Sequence, residues 1–351
     1  MPFLASNQGN LMLDVNDKIP MRWWSYRKNF GDLIGPWMVE QMTGKQVVWA
    51  QKNEAHYLTI GSVMEKVQPS TVAWGCGSFG TETKSNLQKG PKYLAVRGPL
   101  TRAKLEMHGI ECPRIYGDPA LLVPDYYLPD IKPKYRLGII IRWSEANRRK
   151  ELLDRGIKII DLFTDKIEDI IDEILSCEKI ISTSLHGLII ADAYGIPNSW
   201  LIADTGTGKE FKFWDYLISV NKERQPIECD ITDPYYSVQR LLRDFSFDDR
   251  PARIDLNLLR STCPFINPSK EVEIAESIAR SFASPTVVKR DKPNGVLSRR
   301  EKPSEQLEAE KHKEADAQVS EGGADAMHSE PTGLRGVAAK LTAALTAADR
   351  P

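Results

Sequence analysis

Two stretches of the 351-residue chain repeat one unit, an apolar run ending in a sharp polar turn that opens a helix, and a proline-bearing break separates them. These observations predict an α/β protein of two Rossmann-like βαβ domains. The unit is clearest at residues 179–197. There Ile180, Ile181 and Thr183 suit a buried strand, Ser182, Thr183 and Ser184 are N-cap residues, and Gly195 with Pro197 is a stop.

The boundaries follow from the chain in order. Residues 1–18 are mixed and polar, a loose lead-in to a first domain over 19–123. Met21 to Tyr26 reads as its first strand and Asn29-Phe-Gly-Asp32 as the turn after it. Leu33, Ile34, Trp37, Met38 and Met42 recur at helical spacing, with Gly44 as the stop. Val47 to Ala50 is a second strand, and Tyr57 to Val67 fits either strand or helix. Thr71 to Trp74 runs into Gly75-Cys-Gly-Ser-Phe-Gly80. Lys92 to Arg97 ends in a Gly-Pro that opens a helix from Leu100 to His108, closed by Gly109. Strand, turn and helix thus repeat three times before Gly117-Asp-Pro-Ala120.

Pro124, Pro129 and Pro133 mark a linker over 124–134. The second domain, 135–284, begins with a strand at Leu137 to Ile141, a polar helix near 147–155 and a strand at Ile157 to Leu162. An amphipathic helix over Asp165 to Cys177 precedes the stretch at 179–197. A strand at Ser199 to Ala203 and helices at Phe211 to Val220, Tyr235 to Phe245, Leu256 to Leu259 and Glu271 to Phe282 complete it. Residues 285–351 turn to Pro, Lys, Glu, Ala and Gly, the composition of a disordered tail, with a transient Ala-rich helix at 334–348.

Composition narrows the function classes. A hydrophobic fraction of 41% and 8 Trp fit a globular protein, and a formal charge of −1 supplies no global field to recruit nucleic acid or an acidic membrane surface. Any anion site must be local. Five scattered cysteines with no C-x-x-C pair argue against a zinc site or redox dithiol and fit a reducing, cytoplasmic setting. No apolar run approaches the ~20 residues that span a bilayer.

Open α/β sheets bind ligands at the carboxyl ends of their strands, so the strand-end turns hold the candidate residues. His186 sits at such a turn, where a helix N-terminus favours an anion and an imidazole can hold it or move a proton. Ser184, Leu185 and Gly187 flank it. Asp32 either caps its helix, with Gly31 relieving the turn, or acts as a base on a sugar hydroxyl. Gly75, Gly77 and Ser78 form a glycine-rich loop that lets backbone approach a ligand, or a plain turn. Arg97 and Arg142 follow apolar runs, where a guanidinium fork clamps a carboxylate or phosphate. Arg102 reads as solvated charge. Asp118 shapes the turn before Pro119 or serves as a base. No metal-ligand cluster is visible.

The ordered set N-x-G-D (Asn29 to Asp32), W-G-x-G-S (Trp74 to Ser78), V-R-G-P-L-T (Val96 to Thr101), Y-G-D-P-A-L-L (Tyr116 to Leu122) and S-L-H-G-L-I-I-A-D-A-Y-G-I-P (Ser184 to Pro197) resembles the polysaccharide pyruvyl transferase family. Phe211 to Tyr216 resembles that family's segment after the last motif, and the exopolysaccharide branch that ketalates succinoglycan-type repeats looks nearest. The resemblance implies a two-domain fold similar to GT-B glycosyltransferases. It implies phosphoenolpyruvate as donor substrate, no cofactor, and an oligosaccharide acceptor, free or lipid-linked, that receives a pyruvate ketal across two hydroxyls of one hexose. It also implies work in the cytoplasm or at the inner face of the membrane, by peripheral contact alone. The family's S-L-H-G histidine and cleft arginine map onto His186 and Arg97. At Arg142-Trp143 this chain departs from the histidine and aromatic of many members.

Phosphoenolpyruvate carries a carboxylate and a phosphate on three carbons, so a near-neutral protein must bind it with local donors, here the helix start at Leu185 to Gly187 with Arg97 and Arg142. Two other readings share the pattern: a GT-B glycosyltransferase using a nucleotide sugar, and a non-catalytic sugar-binding protein of polysaccharide assembly.

Overall fold

Short β-branched runs buried on both faces pair as parallel sheets. The computed structural model, which describes residues 17–87, 89–141, 157–202, 210–233 and 235–265, contains two such sheets. Strands β1 (Ile19–Met21), β2 (Val47–Trp49), β3 (His56–Leu58), β4 (Thr71–Trp74) and β5 (Lys92–Ala95) form the first, in the order β2-β1-β3-β4-β5. Strands β6 (Gly138–Ile141), β7 (Lys158–Asp161), β8 (Ile180–Ser182) and β9 (Asn198–Trp200) form the second, in the order β7-β6-β8-β9. All pairings are parallel. Both sheets therefore follow one rule: the chain enters at the second position, steps outward once, then crosses back. The switch points lie between β1 and β3 and between β6 and β8.

Among the described residues seven α-helices accompany them: α1 (Phe30–Thr43), α2 (Pro99–Met107), α3 (Ile167–Leu175), α4 (Leu185–Ala193), α5 (Phe211–Ser219), α6 (Val238–Asp244) and α7 (Leu256–Ser261), with 3₁₀ turns at Met64–Lys66 and Pro119–Asp125. Side chains alternate across every strand of the second sheet. Ile140, Ile160, Ile180 and Trp200 face the first sheet in one core, and Ile139, Ile159, Ile181 and Leu201 line a second core behind. In the first sheet Tyr57, Val72 and Trp74 join the shared core, while Leu58 and Ala73 face a third. The shared core is filled by α1, α3, α4 and the Pro119–Asp125 turn. Helix α4 is buried at every position from Leu185 to Asp192, which explains why it is apolar all round.

Chain order and spatial order separate after β9. Helix α5 packs on α2 of the first half. Leu259 of α7 accepts a hydrogen bond from the Trp74 indole (3.1 Å), and Phe265 packs edge-on against Tyr57 and Trp74.

The sequence expectations hold for most elements and shift at a few. Gly44 ends α1 in the left-handed conformation expected of a stop, with φ 68°. Strand β1 covers Ile19–Met21, not residues 21–26. Its aromatic continuation leaves the sheet and packs through side chains, Trp23 against Trp49. Residues 57–67 resolve into β3 and a 3₁₀ turn, and the glycine loop after β4 leads to β5 with no α-helix between, so the unit of strand, turn and α-helix does not recur three times in this half. The expected polar helix near 147–155, the helix at 271–282, the tail at 285–351 and Arg142 lie outside the described residues. Among the described residues no helix is long and apolar enough to cross a membrane.

A buried polar knot fixes the C-terminal end of α4. Asp192 Oδ1 accepts from Asn198 Nδ2 (2.7 Å), Lys222 Nζ (2.8 Å) and Arg224 Nη2 (2.7 Å), and its Oδ2 accepts from the Tyr216 hydroxyl (2.8 Å). Replacing one member strands the others' charges in the core. Asp192→Ala should lower the unfolding free energy by about 3–5 kcal/mol. Urea titration would show this as a lower midpoint with the slope retained; a midpoint equal to wild type would mean the knot contributes nothing to stability.

Candidate active site

The N-termini of α1 and α4 meet where the carboxyl ends of the two sheets face each other. Helix α1 starts after β1 and its first residue, Phe30, donates its N–H to Leu162 O beyond β7 (2.9 Å). Helix α4 starts after β8, with Ser184 as an extended N-cap whose side chain makes no capping bond. Leu188 is the first residue of this helix to donate to a backbone acceptor, Ser184 O (3.3 Å). The amides of Leu185, His186 and Gly187 thus head the helix without intrahelical acceptors.

His186 occupies the second position of α4, its imidazole laid against the backbone of Gly31, where any Cβ would collide with the ring. This is the reason for a glycine in N-x-G-D, and it corrects the turn-relieving reading. Asp32 does not cap α1 either. Asn29 holds the N-cap position, and Asp32, in the first turn, accepts a hydrogen bond from the Asn29 side-chain amide.

Behind the imidazole stands Asp118. Its Oδ1 accepts from Ala120 N (3.0 Å), which starts the Pro119–Asp125 turn, so the turn-shaping reading holds for one oxygen. The other oxygen lies 3.9 Å from His186 Nε2, too far for a direct hydrogen bond, and neither atom has a hydrogen-bond partner in the protein. Two buried polar atoms left unpaired and facing one another single this couple out as a candidate site. Asp118 is fully enclosed, whereas the His186 side chain keeps 11% exposure.

Burial sets the protonation states. Desolvation raises the Asp118 carboxyl to about 6, against a smaller lowering by the Ala120 amide and Arg97. Desolvation likewise raises Asp32 to about 6, opposed by Asn29 and the charges of Lys212 and Lys66. His186 is driven the other way, to about 3, by desolvation first and then by Lys212 and Arg97. At neutral pH the His186 imidazole is neutral, while Asp118 beside it and Asp32 at the start of α1 ionise near 6.

Arg97 is fully buried, and each of its three nitrogens donates to the protein: Nε to Asp215 Oδ2 (2.9 Å), Nη1 to Ser62 Oγ (2.7 Å) and Nη2 to Ser78 O (2.7 Å). Asp215, on α5, also takes the Thr101 amide (2.8 Å) and hydroxyl (2.6 Å). The V-R-G-P-L-T segment therefore clasps α5, and Arg97 is a strut rather than an open fork.

The glycine loop is likewise used internally. Gly75 adopts φ 78° and leaves room for Pro119, Gly77 for the Arg97 guanidinium, and Gly80 for Phe211. Its amides donate to Ala95 O from Gly75 (2.8 Å), to Gly61 O from Gly77 (2.9 Å) and to Thr101 Oγ1 from Ser78 (3.0 Å), which leaves no phosphate cradle at these three. Gly187 is small because α4 closes on Ser182 and Ile140. Sequence reasoning named neither Asp215 nor Lys212; the signal available was the F-K-F-W-D-Y segment, noted as a whole. Among the described residues no cluster of His, Cys, Asp and Glu could hold a metal.

Residues 57–204, which carry the glycine loop, the clasp, Asp118 and His186, match the family described as polysaccharide pyruvyl transferase. The chain belongs to that family. It is 31% identical to the mimivirus "Uncharacterized protein L143" of Acanthamoeba polyphaga mimivirus, over 56% of this chain and 72% of that one. It is 28% identical to "Succinoglycan biosynthesis protein ExoV" of Rhizobium meliloti (strain 1021), over 59% of this chain and 66%, just under two thirds, of that protein. No solved structure matches it significantly.

The carboxyl beside His186 has a measurable signature. A carboxyl raised from 3.8 to about 6 is protonated in the folded state before it is in the unfolded chain, so its contribution is present below about 4 and lost as pH rises through 6. That shift corresponds to roughly 3 kcal/mol. Asp118→Asn, which keeps the acceptor for Ala120, should be more stable than wild type at pH 8 by up to that amount, with the advantage fading between pH 6 and 4. Equal stability at pH 8 would show that the ionised carboxyl costs nothing.

Proposed function

We propose that the protein is a pyruvyl transferase that moves the enolpyruvyl group of phosphoenolpyruvate onto a hexose of an exopolysaccharide precursor as a pyruvate ketal, releasing phosphate. Family membership supports the reaction class, and the name of the succinoglycan relative supports the acceptor class. The observation that carries the assignment of roles is the unpaired His186–Asp118 couple at the start of α4, with the imidazole against Gly31, next to Asp32 in the chain.

The roles divide by access. His186 alone of the couple reaches the cleft, so it meets the donor, and Asp118 behind it holds the imidazole and stabilises its protonated form. In the ligand-free protein His186 is neutral, but a donor bearing a carboxylate and a phosphate brings enough negative charge to favour imidazolium. Protonated His186 delivers a proton to the methylene carbon of the enol phosphate, giving an oxocarbenium-like centre at the adjacent carbon. Asp32, half-buried and ionising near 6, takes the proton of the attacking sugar hydroxyl. A second hydroxyl of the same sugar then displaces phosphate, its proton passing to the leaving group, and the ketal closes. The amides of Leu185, His186 and Gly187 and the dipole of α4 favour an anion there, with the Ser184 hydroxyl beside them. Arg142, next in sequence to the end of β6, lies outside the described residues, and its role in holding the donor stays a proposal from the sequence.

The strand orders and the facing carboxyl ends support a GT-B-like arrangement of two domains, 19–123 and 135–284 joined by the linker at 124–134, with α5 and α7 reaching back onto the first. Phosphoenolpyruvate is a cytoplasmic metabolite, so we place the reaction in the cytoplasm, beside the inner membrane face when the acceptor is lipid-linked.

Incubation with an oligosaccharide acceptor and either phosphoenolpyruvate or nucleotide sugars should release phosphate and not nucleotide. Nucleotide release would instead favour a glycosyltransferase, and neither product a sugar-binding protein. His186→Ala should lower kcat by about 10²–10⁴-fold; a folded variant with near-normal turnover would remove His186 from the chemistry.

A further inference from the structure

We propose that Ser62 binds the donor, giving its hydroxyl proton to an anionic oxygen of phosphoenolpyruvate, and that the buried Arg97 acts on the donor only through it. The inference rests on the pyruvyl-transfer reading and adds a residue to it.

Ser62 lies in the turn that follows β3, at the switch point between β1 and β3. Its Oγ is 2.7 Å from Arg97 Nη1. A guanidinium nitrogen can only donate, so the serine oxygen is the acceptor in this bond and its own proton is left over. Among the described residues that proton has no acceptor, the bond from Arg97 being the one the hydroxyl makes. The other acceptors of Arg97, the Asp215 carboxylate and the Ser78 carbonyl, have no proton to pass on. Ser62 is half-buried where Arg97 is fully enclosed, so the hydroxyl and not the guanidinium is accessible. Accepting a bond from a cation polarises the O–H and makes it a stronger donor, and an anionic oxygen gains most from such a donor.

Backbone contacts fix where this hydroxyl stands. Gly77 N donates to Gly61 O (2.9 Å) and Met64 N to Gly77 O (3.3 Å), so the chain is pinned to the glycine loop before and after Ser62. Gly61, with φ 108°, has Asp32 against it, Oδ1 standing 3.3 Å from where a Cβ would be. Gly31, the residue before Asp32, carries the His186 ring on its backbone, and Gly35, one turn on, rests against Thr59. The first turns of α1 therefore touch both the end of β3 and the start of α4. Ser62, Asp32 and His186 gather at one end of α1 through packing contacts, without appeal to long-range charge.

The test uses the full-length chain and three variants, Ser62→Ala, Ser62→Thr and Ser62→Asp. Calorimetric titration with phosphoenolpyruvate alone reads donor binding without turnover. Each variant is first shown to be folded by circular dichroism and its urea midpoint, because Ser62→Ala also leaves Arg97 Nη1 without an acceptor. Ser62→Ala should bind phosphoenolpyruvate about tenfold more weakly, and Ser62→Thr, which keeps the hydroxyl, within about threefold of wild type. Ser62→Asp keeps an acceptor for Arg97 but has no proton to give and adds a like charge, so it should bind at least as weakly as Ser62→Ala. In steady-state assays of Ser62→Ala the donor KM should rise while the acceptor KM stays within about threefold. A role confined to holding Arg97 predicts another pattern, a lowered midpoint in Ser62→Ala with wild-type affinity in the folded protein, and full affinity in Ser62→Asp. Either result overturns the proposal, as does a threonine variant as weak as the alanine one. The alanine and threonine variants decide by themselves where Ser62→Asp does not fold. If the unaltered protein binds nucleotide sugar and not phosphoenolpyruvate, the pyruvyl-transfer reading fails and the role of Ser62 with it, whereas unchanged phosphoenolpyruvate binding in Ser62→Ala removes Ser62 alone.

Discussion

The ion pair between Arg97 and Asp215 is the constraint from which most of the site follows. Both side chains are fully buried, and removing two charges from water costs several kcal/mol per ion before any attraction is counted. Such a pair persists only when geometry is well satisfied, and here the guanidinium has three acceptors and the carboxylate takes two further donors. The pair stabilises less than it specifies. One partner ends β5 of the first half and the other lies on a helix that follows the second sheet, so the contact sets how residues 211–219 return across the cleft. Gly98 leaves room for Asp215, and Gly77 for the guanidinium, so the neighbouring backbone is shaped around this one contact.

The candidate site residues are then arranged by what encloses them. His186 is pressed between the backbone of Gly31 and the Asp118 carboxyl, and its helix is held at the far end by Asp192. A neutral imidazole beside the Asp118 carboxyl, which ionises near 6, is an arrangement at rest rather than one already poised to give a proton. In the proposed reaction the donor would be the species whose negative charge favours imidazolium, which would couple binding to acid activation through electrostatics.

Much of the architecture was legible in the sequence because both sheets are built from short apolar runs closed by recognisable turns. Gly44 ends α1, Thr71–Trp74 is a strand, and the 179–197 stretch forms β8 and α4 as its residues suggest. The misreadings share a cause. Trp23, Trp24 and Tyr26 have high strand propensity, yet they leave the sheet and pack through their rings, a tertiary outcome that local propensity does not contain. His186 and Asp118 were visible as strand-end polar residues, but their facing oxygen and nitrogen were not, since they lie 68 positions apart and meet only through the Pro119–Asp125 turn against α4. Arg97 looked like a ligand clamp because a guanidinium after an apolar run has that geometry, and its true partner stands 118 positions later.

The motif glycines make the same point about what a pattern encodes. In N-x-G-D, W-G-x-G-S and S-L-H-G the small residue makes room for a side chain: His186 at Gly31, Pro119 at Gly75, Arg97 at Gly77, and Ser182 with Ile140 at Gly187. At Gly31, Gly75 and Gly77 the motif is thus half of a contact whose other half lies in a different motif. The spacing that looks like a ligand-binding loop is a packing code, one that brings two strand-order switch points together with His186 and Asp118 at their meeting point. Selection on such a site acts through fit as much as through reactivity, because displacing the imidazole by the width of one methyl group at Gly31 would break its alignment with Asp118 while leaving every reactive residue in place.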